Sequence, residues 1–205
     1  MYRALTLARE YESGGDRIAA LLAERLGWKL IDGALIEEVA QLAHVDSELV
    51  RRFDERVDSW VHRISRRALT YGAFDAVAVL PETAIFDAET MALLTRAAIE
   101  HAWEIGKCVV VGRGSQCILQ QHSDVFHVFL FAPFASRVAN ARLHEGPAAD
   151  ALERVRAADA QRARYVQMNF GQEWRNPHLY DLMVSTQLGE ERVVSTILAG
   201  MGDST

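Results

Sequence analysis

The residues best suited to chemistry stand just after short apolar runs. Leu5-Thr6-Leu7-Ala8 is followed by Arg9-Glu10-Tyr11-Glu12-Ser13-Gly14-Gly15-Asp16-Arg17, and then by Ile18, Ala19, Leu21, Leu22 and Leu26 at helical spacing, up to Gly27. That order reads as strand, loop, helix. Two glycines permit a tight turn, and the backbone N–H groups that open a helix carry partial positive charge. Ser13, Gly14, Gly15, Asp16 and Arg17 are therefore a candidate anion cradle, although a plain strand-to-helix turn has the same pattern.

Three further places have the same character. In Val109-Val110-Val111-Gly112-Arg113-Gly114, Arg113 leaves an apolar strand between two glycines. A guanidinium presented by a strand end suits bidentate phosphate binding, and pairing with a nearby carboxylate is the plainer alternative. Arg154, Arg156, Arg162 and Arg164 surround Asp159. On a helix Arg156, Asp159 and Arg162 share one face that could close over a polyphosphate, or simply face water. Asp32, after Trp28-Lys29-Leu30-Ile31, serves equally as a helix cap or a ligand contact. Arg52, Arg56, Arg63 and Arg67 form a basic stripe if helical, read first as a solvated face and second as a site for a phosphate-rich partner. No His-Glu-x-x-His or Gly-x-Ser-x-Gly pattern occurs, which argues against zinc hydrolysis and a Ser-His-Asp triad.

The elements that must position these residues alternate. Strands are expected at 5–8, 28–31, 107–111, 125–131 and 181–186. Helices are expected from Ile18, from Asp32, from Asp46, from Asp87 to Ile105, over 134–143, over about 148–169 and over 190–198. Strand and helix in turn predict a doubly wound α/β sheet whose ligands sit beyond the carboxyl ends of its strands. At 205 residues, half of them apolar and a quarter charged, one domain is the natural size. A formal net charge of −6 makes nucleic acid and anionic membrane unfavoured partners, so any phosphate site must be local. The start Met1-Tyr2-Arg3, with charge again at Arg9-Glu10, is unlike a signal peptide or a span, and a cytoplasmic location is expected. Cys108 and Cys117 read as small core residues.

Taken together, Ala8-Arg9-Glu10-Tyr11-Glu12-Ser13-Gly14-Gly15, Gly27-Trp28 with Ile31-Asp32, Val111-Gly112-Arg113-Gly114, Asp159 with Arg162 and Tyr165, Gly171-Gln172-Glu173-Trp174 and Tyr180-Asp181-Leu182 resemble the cytidylate kinase-like family over nearly the whole chain. The resemblance implies the P-loop fold of nucleoside monophosphate kinases: a five-stranded parallel sheet in the order 2-3-1-4-5 with helices on both faces. It implies a core of 1–32 and 87–205, a helical monophosphate-binding region at about 33–86 and a lid at about 145–170. The implied activity is phosphoryl transfer from ATP with Mg²⁺ to a nucleoside monophosphate, CMP or dCMP. Ser13 to Arg17 would hold ATP phosphates, Asp32 and Arg113 the acceptor, and Arg113, Arg156 and Arg162 would serve catalysis. Nucleotides are the implied partners, and a homodimer is compatible with the likeness.

The chain also departs from that pattern. The P-loop lysine position falls on Gly15, Asp16 stands where the family usually has Arg, and Glu12 stands at the loop's usual first glycine. Two carboxylates beside a triphosphate repel it by a few kcal/mol if poorly screened. Arg9 and Arg17 are the cations available to substitute, but Arg17 points about 100° away from position 16 on a helix. No acidic Mg²⁺ partner follows Val109-Val110-Val111. The alternative reading is a kinase-fold protein that binds nucleotide, or another phosphorylated ligand, as a sensor without turnover. A weaker third is an interaction module built on the Arg52 to Arg67 stripe.

Overall fold

The computed structural model describes residues 1–32, 88–145 and 150–202. The helices expected from Asp32 and Asp46, the Arg52 to Arg67 stripe, the segment 58–86 and the cap at Asp87 lie outside the described residues. The chain forms two compact units, one of 1–33 with 99–205 and one of 34–98. The described part of the second is helical and opens α2.

In chain order the elements are β1 (Ala4–Arg9), α1 (Gly15–Leu26), β2 (Lys29–Ile31), α2 (Ala88–Ile105), β3 (Cys108–Val111), the single turn α3 (Ser115–Ile118), β4 (Val125–Phe131), α4 (Phe134–Glu145), α5 (Ala151–Phe170), β5 (Leu182–Ser185) and α6 (Glu190–Gly200). Short 3₁₀ turns flank β5, at Pro177–Leu179 and Thr186–Leu188. The sheet has five strands in the order β2-β3-β1-β4-β5, and every pairing is parallel. Fold class and strand order are those the resemblance implied.

The sequence explains the layering. Along β1, Leu5 and Leu7 point to one face and Thr6 and Ala8 to the other, and all four are buried. Leu5 and Leu7 join Ile18, Leu22, Val109, Val128, Leu130, Val193 and Ile197 in a core beneath α1 and α6. Ala8 joins Phe129, Val166 and Trp174 beneath α5. Each fully buried Leu, Ile or Val contributes roughly 1.5–3 kcal/mol. In α1 the buried positions Gly15, Ile18, Ala19, Leu22 and Ala23 repeat at the helical interval. The helix stops at Gly27, whose φ of 62° lets its N–H reach Ala23 and Glu24 carbonyls.

Because β1 lies between β3 and β4, strand order reverses at its carboxyl end, where an open α/β sheet offers a crevice. Register brings Leu7 level with Val111, and Gly112 N–H donates to Leu7 C=O at 3.0 Å. Arg9 and the Gly112–Gly114 turn therefore emerge side by side. Among the described residues no helix is long and apolar enough to cross a membrane.

Candidate functional site

The β1–α1 loop is closed by its own backbone. Ser13 N–H and the Ser13 hydroxyl both donate to Glu10 C=O, at 3.3 and 2.8 Å, which uses the hydroxyl internally. Glu12 takes φ 59° and Gly14 φ 79°, the left-handed conformation that the tight reversal needs. At Glu12, where glycine would be at ease, that conformation costs roughly 1–2 kcal/mol. The Glu12 side chain and carbonyl are held from α4, by His144 Nδ1 at 2.8 Å and Asn140 Nδ2 at 3.1 Å. A cleft of about 210 Å³ opens over the loop, bounded by Arg9, residues 10–17, His144 and Arg162.

Behind the loop lies a set of four charges, three of them buried and the fourth, Arg175, half-exposed. Glu10 accepts Arg175 on Oε1, at 2.7 and 3.1 Å, and Ala132 N–H on Oε2, at 3.2 Å. Arg137 places Nε 3.1 Å from Glu10 Oε2 and donates from Nη1 to Asp159 Oδ2 at 2.7 Å and to Tyr11 C=O at 3.1 Å. Asp159 also accepts Tyr11 N–H at 2.8 Å. Glu10, Arg137 and Asp159 are buried, and every carboxylate oxygen has a partner, which is the condition under which burying such charges is tolerable. This set ties the loop to α4, to α5 and to the segment after α5.

The open side is built differently. Arg9, the last residue of β1, sends Nε and Nη2 to Asp16 Oδ1 at 3.0 and 2.8 Å. Its stem crosses Gly15, where a Cβ would lie 2.7 Å from Arg9 Cβ and Cγ, and its Nη1 passes Gly112, where a Cβ would lie 2.5 Å away. Arg162, from α5, sits over the Tyr11 ring at 5.3 Å and keeps Nη1 3.6 Å from Asp159. Burial lowers its pKa from the ordinary value, and the charge of Arg9 lowers it further. Two guanidiniums thus converge where helix α1 begins, an arrangement suited to a polyanion.

The other residues expected from sequence are placed as follows. Gly14 is the N-cap and Gly15 the first residue of α1. Asp16 is exposed and holds Arg9. Arg17 turns outward to Glu190 at 2.9 Å. Arg156 pairs with Glu153 at 3.2 Å and stacks 5.5 Å from the Phe134 ring, away from the residues that line the cleft. Arg113 takes φ 57° after β3 and Asp32 is exposed after β2; neither lines the cleft. Ile31 is level with Val110, so both belong to the carboxyl edge of neighbouring strands.

Sequence reasoning passed over Glu10, Arg137, Arg175 and His144. Asp159 had a legible signal: with Ala151, Val155 and Val166 it forms the buried stripe of α5, so it could not face water. Arg137 and Arg175 carried none, since only the folded chain brings residues 10, 137, 159 and 175 together. Of the cysteines, Cys108 is buried in β3 with its thiol pushed up to about 11, chiefly by desolvation, while Cys117 is only half-buried, on α3.

A parallel 2-3-1-4-5 sheet with a glycine turn between β1 and α1 defines the P-loop kinase class of fold. A model of the cytidylate kinase-like family matches residues 4–188, and the chain belongs to that family. Solved structures agree on the fold. An uncharacterized protein from Eubacterium ventriosum ATCC 27560 superposes with a TM-score of 0.70 at 17% identity, covering 98% of this chain and 99% of that one. Shikimate kinase from Bacteroides thetaiotaomicron gives 0.53 at 11% identity, covering 98% of both chains. A gluconokinase from Sinorhizobium meliloti 1021 gives 0.52 at 12% identity, covering 98% and 91%. No curated protein matches the sequence.

Proposed function

We propose that the protein transfers a phosphoryl group from ATP to a nucleoside monophosphate, with CMP or dCMP the first candidates. The observation that carries this reading is the convergence of Arg9 and Arg162 on the amino end of α1 beside the glycine turn. Phosphoryl transfer asks little covalent chemistry of a protein; charge neutralisation and in-line positioning supply most of the rate. Backbone amides of Gly14 to Asp16 and the two guanidiniums are suited to that task. Family membership supports a kinase, and Asp32 and Arg113, on the shared strand edge, are the proposed acceptor contacts. Arg156, from α5, is proposed as a lid arginine.

The donor set fits Mg²⁺ only as an ion delivered with nucleotide. Among the described residues no group of three or more His, Cys, Asp or Glu could hold a metal. Asp16, however, is an exposed carboxylate immediately after the lysine position, and Mg²⁺ is commonly held by one or two carboxylates together with substrate phosphates and water. Held in that way, Mg²⁺ would offset the charge of the phosphates.

A coupled assay of ADP release across CMP, dCMP, UMP, AMP and GMP tests the proposal. ADP formation should require an acceptor and fall at least about tenfold in Arg113→Ala. Absence of turnover above background with every acceptor rejects it. One observation favours a second reading, a nucleotide-binding protein without turnover: Glu12 and Asp16 both bring carboxylates to the cleft. Saturable nucleotide binding in calorimetry with no ADP formation would select that reading.

A further inference from the structure

The lysine position of the loop is a glycine for a reason visible in the structure. Gly15 does not take a left-handed φ, so its backbone would accept a side chain; what forbids one is space. The Cβ and Cγ of Arg9 fill the volume that any residue at 15 would enter. Arg9 and a loop lysine are therefore mutually exclusive occupants of one position. We propose that Arg9 takes the lysine's place, contacting the polyphosphate from the strand side of the loop, and that Asp16 holds it ready until the phosphates arrive.

Several features support this assignment, which rests on the reading of the cleft as a phosphate site. Arg9 is rooted in the central strand, with register to Leu130, and its side chain is only 19% exposed, so its stem is positioned. Its head group lies between the first turn of α1 and Gly112, beside the cleft. Its partner Asp16 is 79% exposed, so water competes for the pair and holds it weakly. Phosphate oxygens can replace that carboxylate while matching the planar fork of the guanidinium. Finally, Arg162 is close enough for the two cations to disfavour each other, a repulsion that an anion between them would relieve. Arg17, the other cation of the loop, also borders the cleft, but it is 76% exposed and turned to Glu190, so its stem is not positioned as that of Arg9 is.

The test relocates the cation. Binding of Mg²⁺-tripolyphosphate is measured by calorimetry on the intact protein, with melting curves for each variant. Arg9→Gln, which keeps the stem and removes the charge, should weaken binding about ten- to a hundredfold. Gly15→Lys alone should bind poorly, because both side chains need one space. Arg9→Gly with Gly15→Lys clears that space, restores a loop lysine and should return affinity to within about threefold of the parent. A parent that binds no tripolyphosphate overturns the assignment, as does an Arg9→Gln protein of unchanged affinity. So does a folded double variant that regains nothing. Arg9-dependent binding of tripolyphosphate together with an absence of ADP formation would keep the assignment and reject the kinase reading.

Discussion

The same loop is held from two sides by the same residue types, with opposite consequences. Behind it, Glu10, Asp159 and Arg137 have side chains 10, 10 and 5% exposed and satisfy one another through hydrogen bonds at 2.7–3.4 Å together with Arg175. In front, Asp16 is 79% and His144 69% exposed, Asp16 pairing with Arg9 and His144 with Glu12. Sealed charges cannot exchange partners without leaving one uncompensated in a poorly polarisable surrounding. Open pairs lose little when a new anion replaces the old one. The lesson is that carboxylate–arginine pairs around a phosphate loop divide into those that shape it and those that trade with its ligand, and burial makes the division.

The largest effect should come from breaking the sealed side. Arg137→Ala leaves Glu10 and Asp159 buried with only the half-exposed Arg175 to share and should cost about 3–5 kcal/mol. For a chain of this size that lowers the melting temperature by roughly 6–20 °C. A fall of under about 2 °C in a thermal melt would show that the four charges do not hold the loop. On the open side the order of effects should reverse. Arg162→Ala is expected to weaken Mg-ATP binding about tenfold while moving the melting temperature by only a few degrees. Calorimetric titration decides it, and equal affinity in variant and parent would remove Arg162 from the site.

A smaller effect comes from a buried group away from the cleft. His127 bonds through Nδ1 with the Thr6 hydroxyl at 2.6 Å, and burial lowers its pKa below the ordinary 6.5, outweighing the opposite pull of Asp181. The unfolded chain then binds a proton near pH 6.5 that the folded chain refuses. The contribution of His127 is fully present above pH 6.5 and is lost as pH falls through the lower folded value. Melting temperature should therefore drop from pH 7 to pH 5, and His127→Gln should flatten that drop; an unchanged slope would contradict the assignment. Least of all should come from Arg17→Ala, whose surface pair with Glu190 is worth under about 1 kcal/mol. If that variant loses Mg-ATP affinity as heavily as Arg162→Ala, the boundary drawn between the open pairs and the surrounding surface is misplaced.

Much of the frame was legible from periodicity. Continuous apolar runs marked the buried parallel strands, and Gly27 marked a helix end where the left-handed conformation was needed. The one-turn helix α3 was not anticipated, because four residues are too few to show a period. The arginine run of α5 was legible as a face but not as a division of labour. Arg156 ends on Glu153 and the Phe134 ring, whereas Arg162 reaches the cleft. The two are six residues apart on a 3.6-residue helix, and only the packing of α5 decides which of them meets the loop.

By itself, the order of residues determined the family, the alternation of strand and helix, the position of the phosphate turn and the absence of a lysine from it. Those properties are local, set by backbone preference and the spacing of apolar side chains. Tertiary structure alone decided that Arg9 fills the space over Gly15, that Arg17 is committed to Glu190, and that Glu10 and Asp159 share Arg137. A charge acquires its role from burial and from the partners within reach, and for Glu10 and Arg17 those partners lie more than a hundred positions away along the chain.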